Sequence, residues 1–244
     1  MQHSKLRVRY GQIIGRNHMQ RQQNCQDGLT VIETESLAVG VICDGCGSGS
    51  RSEVGAILAS SFLAQKAAKA LENSTPLSEL AVYLYDSLRA MLSQFIAIMQ
   101  PDDLSAFVQE HLLFTVLGFA LHKKTEDALI WAAGDGWILT DDQFQHRDLQ
   151  NTPEYPAYAL LPHSSLRRLH TELAFEVVEV PHNWKRFAIA SDGLEDTAIP
   201  LIWGQTHPRG LQRTLNRLSL NEHRLHDDTS VIVVEREISV SSRE

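Results

Sequence analysis

The sequence predicts an α+β fold built on antiparallel sheets, in one domain covering residues 1–244. Two observations set the class. Strand-like segments come in groups and helix-like segments in groups, without the strict strand–helix alternation of a parallel sheet. The composition, 43% hydrophobic and 21% charged, is that of an ordinary globular chain. A third observation sets the domain count: there is no linker-like stretch rich in Pro, Ser or Gly, no charge block, and no repeat in the roughly 20–50 residue range. A chain this long buries roughly 70–75% of its unfolded surface, enough for a substantial core.

The elements follow in order. Residues 6–15 (LRVRYGQIIG), 29–33 (LTVIE) and 37–43 (LAVGVIC) are rich in β-branched residues and read as strands. Ser50 to Glu53 has capping-box spacing, and Val54, Ile57, Leu58, Phe62 and Leu63 follow at helical intervals, predicting a helix with those residues on its core face. Thr75-Pro76 opens a second helix with proline at its tolerated first position. Leu77, Leu80, Ala81, Leu84, Leu88, Met91, Leu92 and Phe95 make its apolar stripe, and Pro101 ends it. Strands resume at 112–121, 128–134 and 137–140, then at 173–180 and 186–191, with an irregular stretch over 152–162. A helix near 209–220 precedes a last strand at 230–236.

Charge and cysteine content exclude several function classes. Formal net charge is −8 and no Lys/Arg run exceeds two, which argues against a nucleic-acid or anionic-membrane surface. The first residues lack the apolar core of a signal peptide, and the longest apolar stretch, near 112–121, is too short to span a bilayer. Three cysteines do not form a fully paired disulfide framework, so a cytoplasmic protein is expected.

Asp-Gly occurs four times, at Asp27, Asp44, Asp135 and Asp192, and Asp227-Asp228 adds a fifth acidic point ahead of the last strand. Between apolar runs Asp-Gly is a hairpin signal, because a tight type I′ turn needs positive φ at both central residues. LIWAAG-DG-WILT fits that description, so turn chemistry alone makes Asp135 a hairpin residue. Asp44 and Asp192 fit it poorly. ICDGCGSG runs into a glycine loop and then a helix, and ASDGLED runs into non-alternating sequence. For both, a carboxylate delivered by the end of a buried strand is the better account. Several such carboxylates converging repel one another and need a cation, and an oxygen-only donor set favours Mg²⁺ or Mn²⁺.

NCQD (24–27), ICDGCGSG (42–49), AAGDG (132–136), IASDGLED (189–196) and HDDTSVIVV (226–234) resemble, in this order, the metal-dependent protein phosphatase family (PPM, type 2C), and most closely a bacterial branch of it. The resemblance implies a four-layer α/β/β/α sandwich, two antiparallel sheets flanked by helices, with metals at one edge. It implies that Asp44 bridges two Mn²⁺ or Mg²⁺ ions, that the Gly45 carbonyl binds the second, and that Asp192 and Asp227 complete the first. Asp135 would share a third ion with Asp192, and Asp27 would hydrogen-bond water on the metals. The implied chemistry is in-line hydrolysis of phosphoserine or phosphothreonine by a water activated between two ions, with Asp27 and Asp44 as catalytic residues. The implied partner is a phosphorylated protein from a serine/threonine kinase pathway.

Two positions depart from the eukaryotic pattern. Cys46 stands where those enzymes carry a histidine that could serve as an acid, and a packing role suits a thiol there. Gln22 stands where an arginine often grips phosphate; neighbouring Arg21 reads equally as a phosphate ligand or a solvated side chain. His18 reads equally as a phosphate contact or a cap on a strand end. Cys43 and Cys46 form a C-x-x-C, but zinc needs two more ligands, and Cys43 at a strand end reads as a buried hydrophobe. Two other functions stand beside the phosphatase: a regulatory phosphoprotein-binding module on the same fold, and a phosphatase for small metabolites.

Overall fold

The computed structural model of the chain describes residues 5–141, 143–149, 154–161, 174–207 and 209–237. It contains two five-stranded antiparallel sheets. The first sheet runs β1 (Lys5–Ile13), β10 (Thr229–Glu237), β9 (Arg186–Ala190), β6 (Gly136–Thr140), β7 (Phe144–Arg147). The second runs β2 (Gly28–Glu33), β3 (Leu37–Cys43), β4 (Val116–His122), β5 (Ala128–Ala133), β8 (Glu176–Glu179).

Side chains alternate across a strand, and here both faces of the inner strands are covered. All seven residues of β3 are buried. Its Ala38 and Ile42 point inward to meet Phe119, Ile189, Ile232 and Val234 between the sheets. Its Leu37, Val39, Val41 and Cys43 point outward under the helices α2 (Glu53–Glu72), α3 (Leu77–Met99) and α4 (Leu104–His111). The other sheet packs Val231 and Val233 against the short helices α5 (Ile199–Trp203) and α6 (Gly210–Asn216). The result is the expected α/β/β/α sandwich, with Cys43 in the core as its strand position predicts.

The α3 stripe also stands as expected, but the α2 stripe holds only at Leu63, which is buried, and Phe62, which packs against the core. Val54, Ile57 and Leu58 are exposed, at 39%, 54% and 36%. The face of α2 that meets the sheet is instead made of Gly55, Ala56, Ala59, Ser60, Leu63, Ala64 and Ala67. Small residues win that face because the helix lies directly on β2: a Cβ added at Gly28 would stand 2.3 Å from the Ala56 carbonyl oxygen. Nor is the capping box formed; Ser52 holds the N-cap position, and its hydroxyl donates to the Cys46 carbonyl instead.

Further corrections are local. Helix α4, capped by Asp103 through the Ala106 N–H at 3.0 Å, occupies a region with no predicted element, and β4 begins at Val116 rather than 112. Strand β8 covers Glu176–Glu179, shorter than the predicted 173–180, whose residue 173 lies outside the described residues. The irregular stretch at 152–162 holds a 3-10 turn, Pro156–Leu160; its ends, 152, 153 and 162, lie outside the described residues. The hairpin reading of Asp135 fails outright. Strands β5 and β6 belong to different sheets, so residues 134–136 cross from one sheet to the other, with φ of 90° at Gly134 and 131° at Gly136. The positive φ angles fall at the two glycines flanking Asp135 and not at Asp135 itself, so the type I′ pattern is absent as well.

Candidate active site

Antiparallel register brings the acidic residues to one edge. Gly28 pairs with Cys43, Val116 with Ala133, Val231 with Ala190 and Trp137 with Ala190. The start of β2, the end of β3, the end of β5, the end of β9 and the start of β10 therefore share one end of the sandwich. Asp27, Asp44, Asp135, Asp192 and Asp227 sit at those points, each within two residues of a strand end. Strands fixed on both faces make a rigid frame for charges that repel one another.

A cavity of about 370 Å³ opens there, lined by Asp44, Gly45, Asp135, Asp192 and Asp227, with Cys46, Gly47, Ser48, Thr115 and Tyr155 completing its wall. Asp27 lies behind the wall, 3% exposed. Its Oδ2 accepts from Ser191 Oγ at 2.9 Å, while Oδ1 is buried without a hydrogen-bond partner. Arg21 is exposed on α1 (Arg16–Arg21) and is not among the lining residues.

His18 is buried on the same helix, with Nδ1 2.8 Å from Asp228 Oδ2. Asp228 is the residue whose role sequence reasoning missed. Its Oδ1 accepts from the Gly15 N–H at 2.6 Å and its Oδ2 also accepts from the Gln26 N–H at 2.5 Å. One carboxylate thereby ties the chain on both sides of α1 to the start of β10, beside Asp27 and Asp227. His18, Asp227 and Asp228 lie close enough to hold an ion together, but donors from the protein already occupy both Asp228 oxygens. That pattern suits a pin better than a ligand. The signal in the sequence was the Asp-Asp doublet together with a histidine near Gly15. Ser191 was missed likewise: it donates to Asp27 and accepts from the Ser230 N–H at 2.9 Å.

Crowding shows in the ionisation of the cluster. Burial, then the charges of Asp27 and Asp192, pushes Asp44 well above the ordinary carboxylate range. Burial pushes Asp27 up to about 7, with Asp228 and Asp192 adding to the rise and the nearby hydroxyls of Ser230 and Ser191 opposing it. Asp135 and Asp227 rise for the same reasons, desolvation first and Asp192 next among the charges that raise them. Without a counter-charge the group resists full ionisation at neutral pH. The donors are all oxygens, the carboxylates crowd one cavity, and Asp27 Oδ1 is buried without a partner; this set fits hard divalent cations.

Among the neutral lining residues, Cys46 Sγ lies 3.1 Å from Ser48 Oγ. Tyr155 lines the same cavity, and burial raises its phenol, which stays protonated.

Comparison with known proteins decides the family. A sequence model described as protein phosphatase 2C matches residues 14–227. The chain belongs to the protein phosphatase 2C family. Its phosphatase fold recurs in solved structures at low identity. RsbX in complex with magnesium is 11% identical, with a TM-score of 0.55 over 95% of this chain and 96% of that one. The serine/threonine phosphatase Stp1 from Staphylococcus aureus is 12% identical, with a TM-score of 0.62 over 96% of each chain. A bacterial serine phosphatase is 12% identical, with a TM-score of 0.60 over 96% of this chain and 98% of that one. At such identities these likenesses concern the fold. No curated protein matches the chain by sequence.

Proposed function

We propose that this protein 2C-type chain is a metal-dependent serine/threonine protein phosphatase acting on phosphoproteins of a kinase pathway in the cytoplasm. The observation that carries the reading is the convergence of Asp44, Asp135, Asp192 and Asp227 on one cavity at the rigid end of the sandwich. Asp44, the Gly45 carbonyl, Asp135, Asp192 and Asp227 would hold the Mg²⁺ or Mn²⁺ ions. When bound, the ions supply an activated water and neutralise the phosphoryl oxygens. Asp27, behind the wall, would accept a hydrogen bond from water at the site through Oδ1, while Ser191 holds its other oxygen in place. With water as the nucleophile no serine or cysteine has to act as one, and no histidine is among the described lining residues.

Support for the metal comes from the oxygen-only donor set and from a fold neighbour described in complex with magnesium. Among the described residues no helix is long and apolar enough to cross a membrane.

Hydrolysis of a phosphoserine or phosphothreonine peptide, followed by phosphate release, tests the reading. Turnover should need added Mn²⁺ or Mg²⁺, stop with EDTA, and fall on the order of 100-fold or more in Asp44→Asn and Asp192→Asn. Undiminished turnover in both variants would overturn it. Faster turnover of small phosphorylated metabolites than of phosphopeptides would move the substrate class instead.

A further inference from the structure

The cavity wall carries both acidic and neutral side chains. Asp44, Asp135, Asp192 and Asp227 are the acidic ones, and no lysine, arginine or histidine is among the described lining residues. A phosphoryl group entering such a cavity presents some oxygens to the acidic, cation-binding residues and others away from them. Those others need hydrogen-bond donors, because a desolvated phosphoryl oxygen left unpaired weakens binding.

The neutral residues offer donors. Cys46, Ser48 and Tyr155 line the cavity together, with Ser48 Oγ 3.1 Å from Cys46 Sγ. Both supports are braced. The Cys46 N–H donates to the Leu113 carbonyl at 2.9 Å, and the Cys46 carbonyl accepts from the Gly49 N–H at 2.8 Å and Ser52 Oγ at 3.0 Å. Tyr155 leads into the 3-10 turn Pro156–Leu160, where its carbonyl accepts from the Tyr158 N–H at 3.0 Å. Its ring meets that of Tyr158 edge-on, centroids 5.4 Å apart, and Ala157 and Leu161 anchor the segment in the core beneath α3. A side chain held this way loses little rotamer freedom when a ligand arrives.

We infer that Tyr155, backed by Cys46 and Ser48, is the substrate-binding wall of the cavity, donating a neutral hydrogen bond to a phosphoryl oxygen where an arginine would otherwise grip it. The identity of the ligand as a phosphomonoester rests on the phosphatase reading above; the placement of the donor does not. A neutral donor binds less tightly than a bidentate guanidinium, so recognition of the phosphoryl group alone is weak and contacts outside the cavity carry more of the substrate affinity.

The test is a calorimetric titration of the full chain, loaded with Mg²⁺, with inorganic phosphate. Tyr155→Phe removes the hydroxyl and keeps the ring, and it should weaken phosphate binding roughly three- to tenfold. A separate titration with Mg²⁺ alone should give the native affinity, showing the acidic residues intact. Cys46→Ser, which keeps a donor beside Tyr155, should retain native phosphate affinity. Phosphate affinity unaltered in Tyr155→Phe would overturn the inference. So would a parallel loss of Mg²⁺ affinity in that variant, or a native protein that binds no phosphate. A native protein whose phosphate binding depends on Tyr155, yet which hydrolyses no phosphopeptide, would uphold this inference and overturn the phosphatase reading.

Discussion

Replacing Asp27 by asparagine should stabilise the metal-free protein at alkaline pH, and the size of the effect follows from the site. Asp27 is 3% exposed, faces the charges of Asp228 and Asp192, and titrates at about 7 rather than 3.8. A carboxyl raised in the folded state binds its proton more tightly there than in the unfolded chain. Its contribution is therefore full below about pH 3.8 and is lost as pH rises through about 7. Across that window, at about 1.4 kcal/mol per pH unit, the loss is on the order of 4 kcal/mol. Asparagine has nearly the same shape and no charge, and its amide oxygen can take the Ser191 hydrogen bond. Denaturant unfolding in EDTA should thus find Asp27→Asn more stable than the native chain by a few kcal/mol at pH 8, with the gap closing toward pH 4. Millimolar Mn²⁺ should then stabilise the native chain more than the variant. A gap that is absent at pH 8, or that does not change with pH, would refute the electrostatic account of Asp27.

Three other outcomes test the frame around the site. Gly28→Ala places a methyl carbon 2.3 Å from the Ala56 carbonyl oxygen and should cost roughly 2–4 kcal/mol, read as a Tm lowered by about 5–15 °C. Ile57→Lys on the exposed face of α2 should leave stability within about 0.5 kcal/mol, whereas Leu63→Ala on its buried face should cost roughly 2–5 kcal/mol; equal losses would return Ile57 to the core face. Ser191→Ala strands the buried Ser230 N–H and one Asp27 oxygen, and should cost about 1–3 kcal/mol in denaturant unfolding at neutral pH.

Chemistry was more legible in the sequence than packing. Asp44 and Asp192 stood out because a run of buried strand residues ended in a carboxylate that no hairpin explained. Strand alternation was enough to send Cys43 into the core. The phase of α2 was not legible, since large apolar residues mark the core face only where the helix stands off its partner. Here the helix lies so close to β2 that alanine and glycine occupy that face, and Val54, Ile57 and Leu58 are displaced to the surface. Asp135 misled for a related reason. Asp-Gly between two apolar strands is the same local signal whether the strands pair or part, and only the partners of β5 and β6 distinguish the two.

The same geometry explains why Asp228 stayed hidden beside Asp227. Adjacent residues of an extended chain point to opposite sides, so an acidic doublet at a sheet edge sends one carboxylate outward and one inward. Asp227 lines the cavity, where its charge calls for a cation. Asp228 turns inside, where the N–H groups of Gly15 and Gln26 and the ring of His18 satisfy it. The two carboxylates have the same chemistry and opposite requirements, and burial alone assigns them. His18 belongs with the inner one. Its Nδ1 is engaged with the same Asp228 carboxylate that accepts from the Gln26 N–H, which puts the ring on the buried side of the acidic doublet.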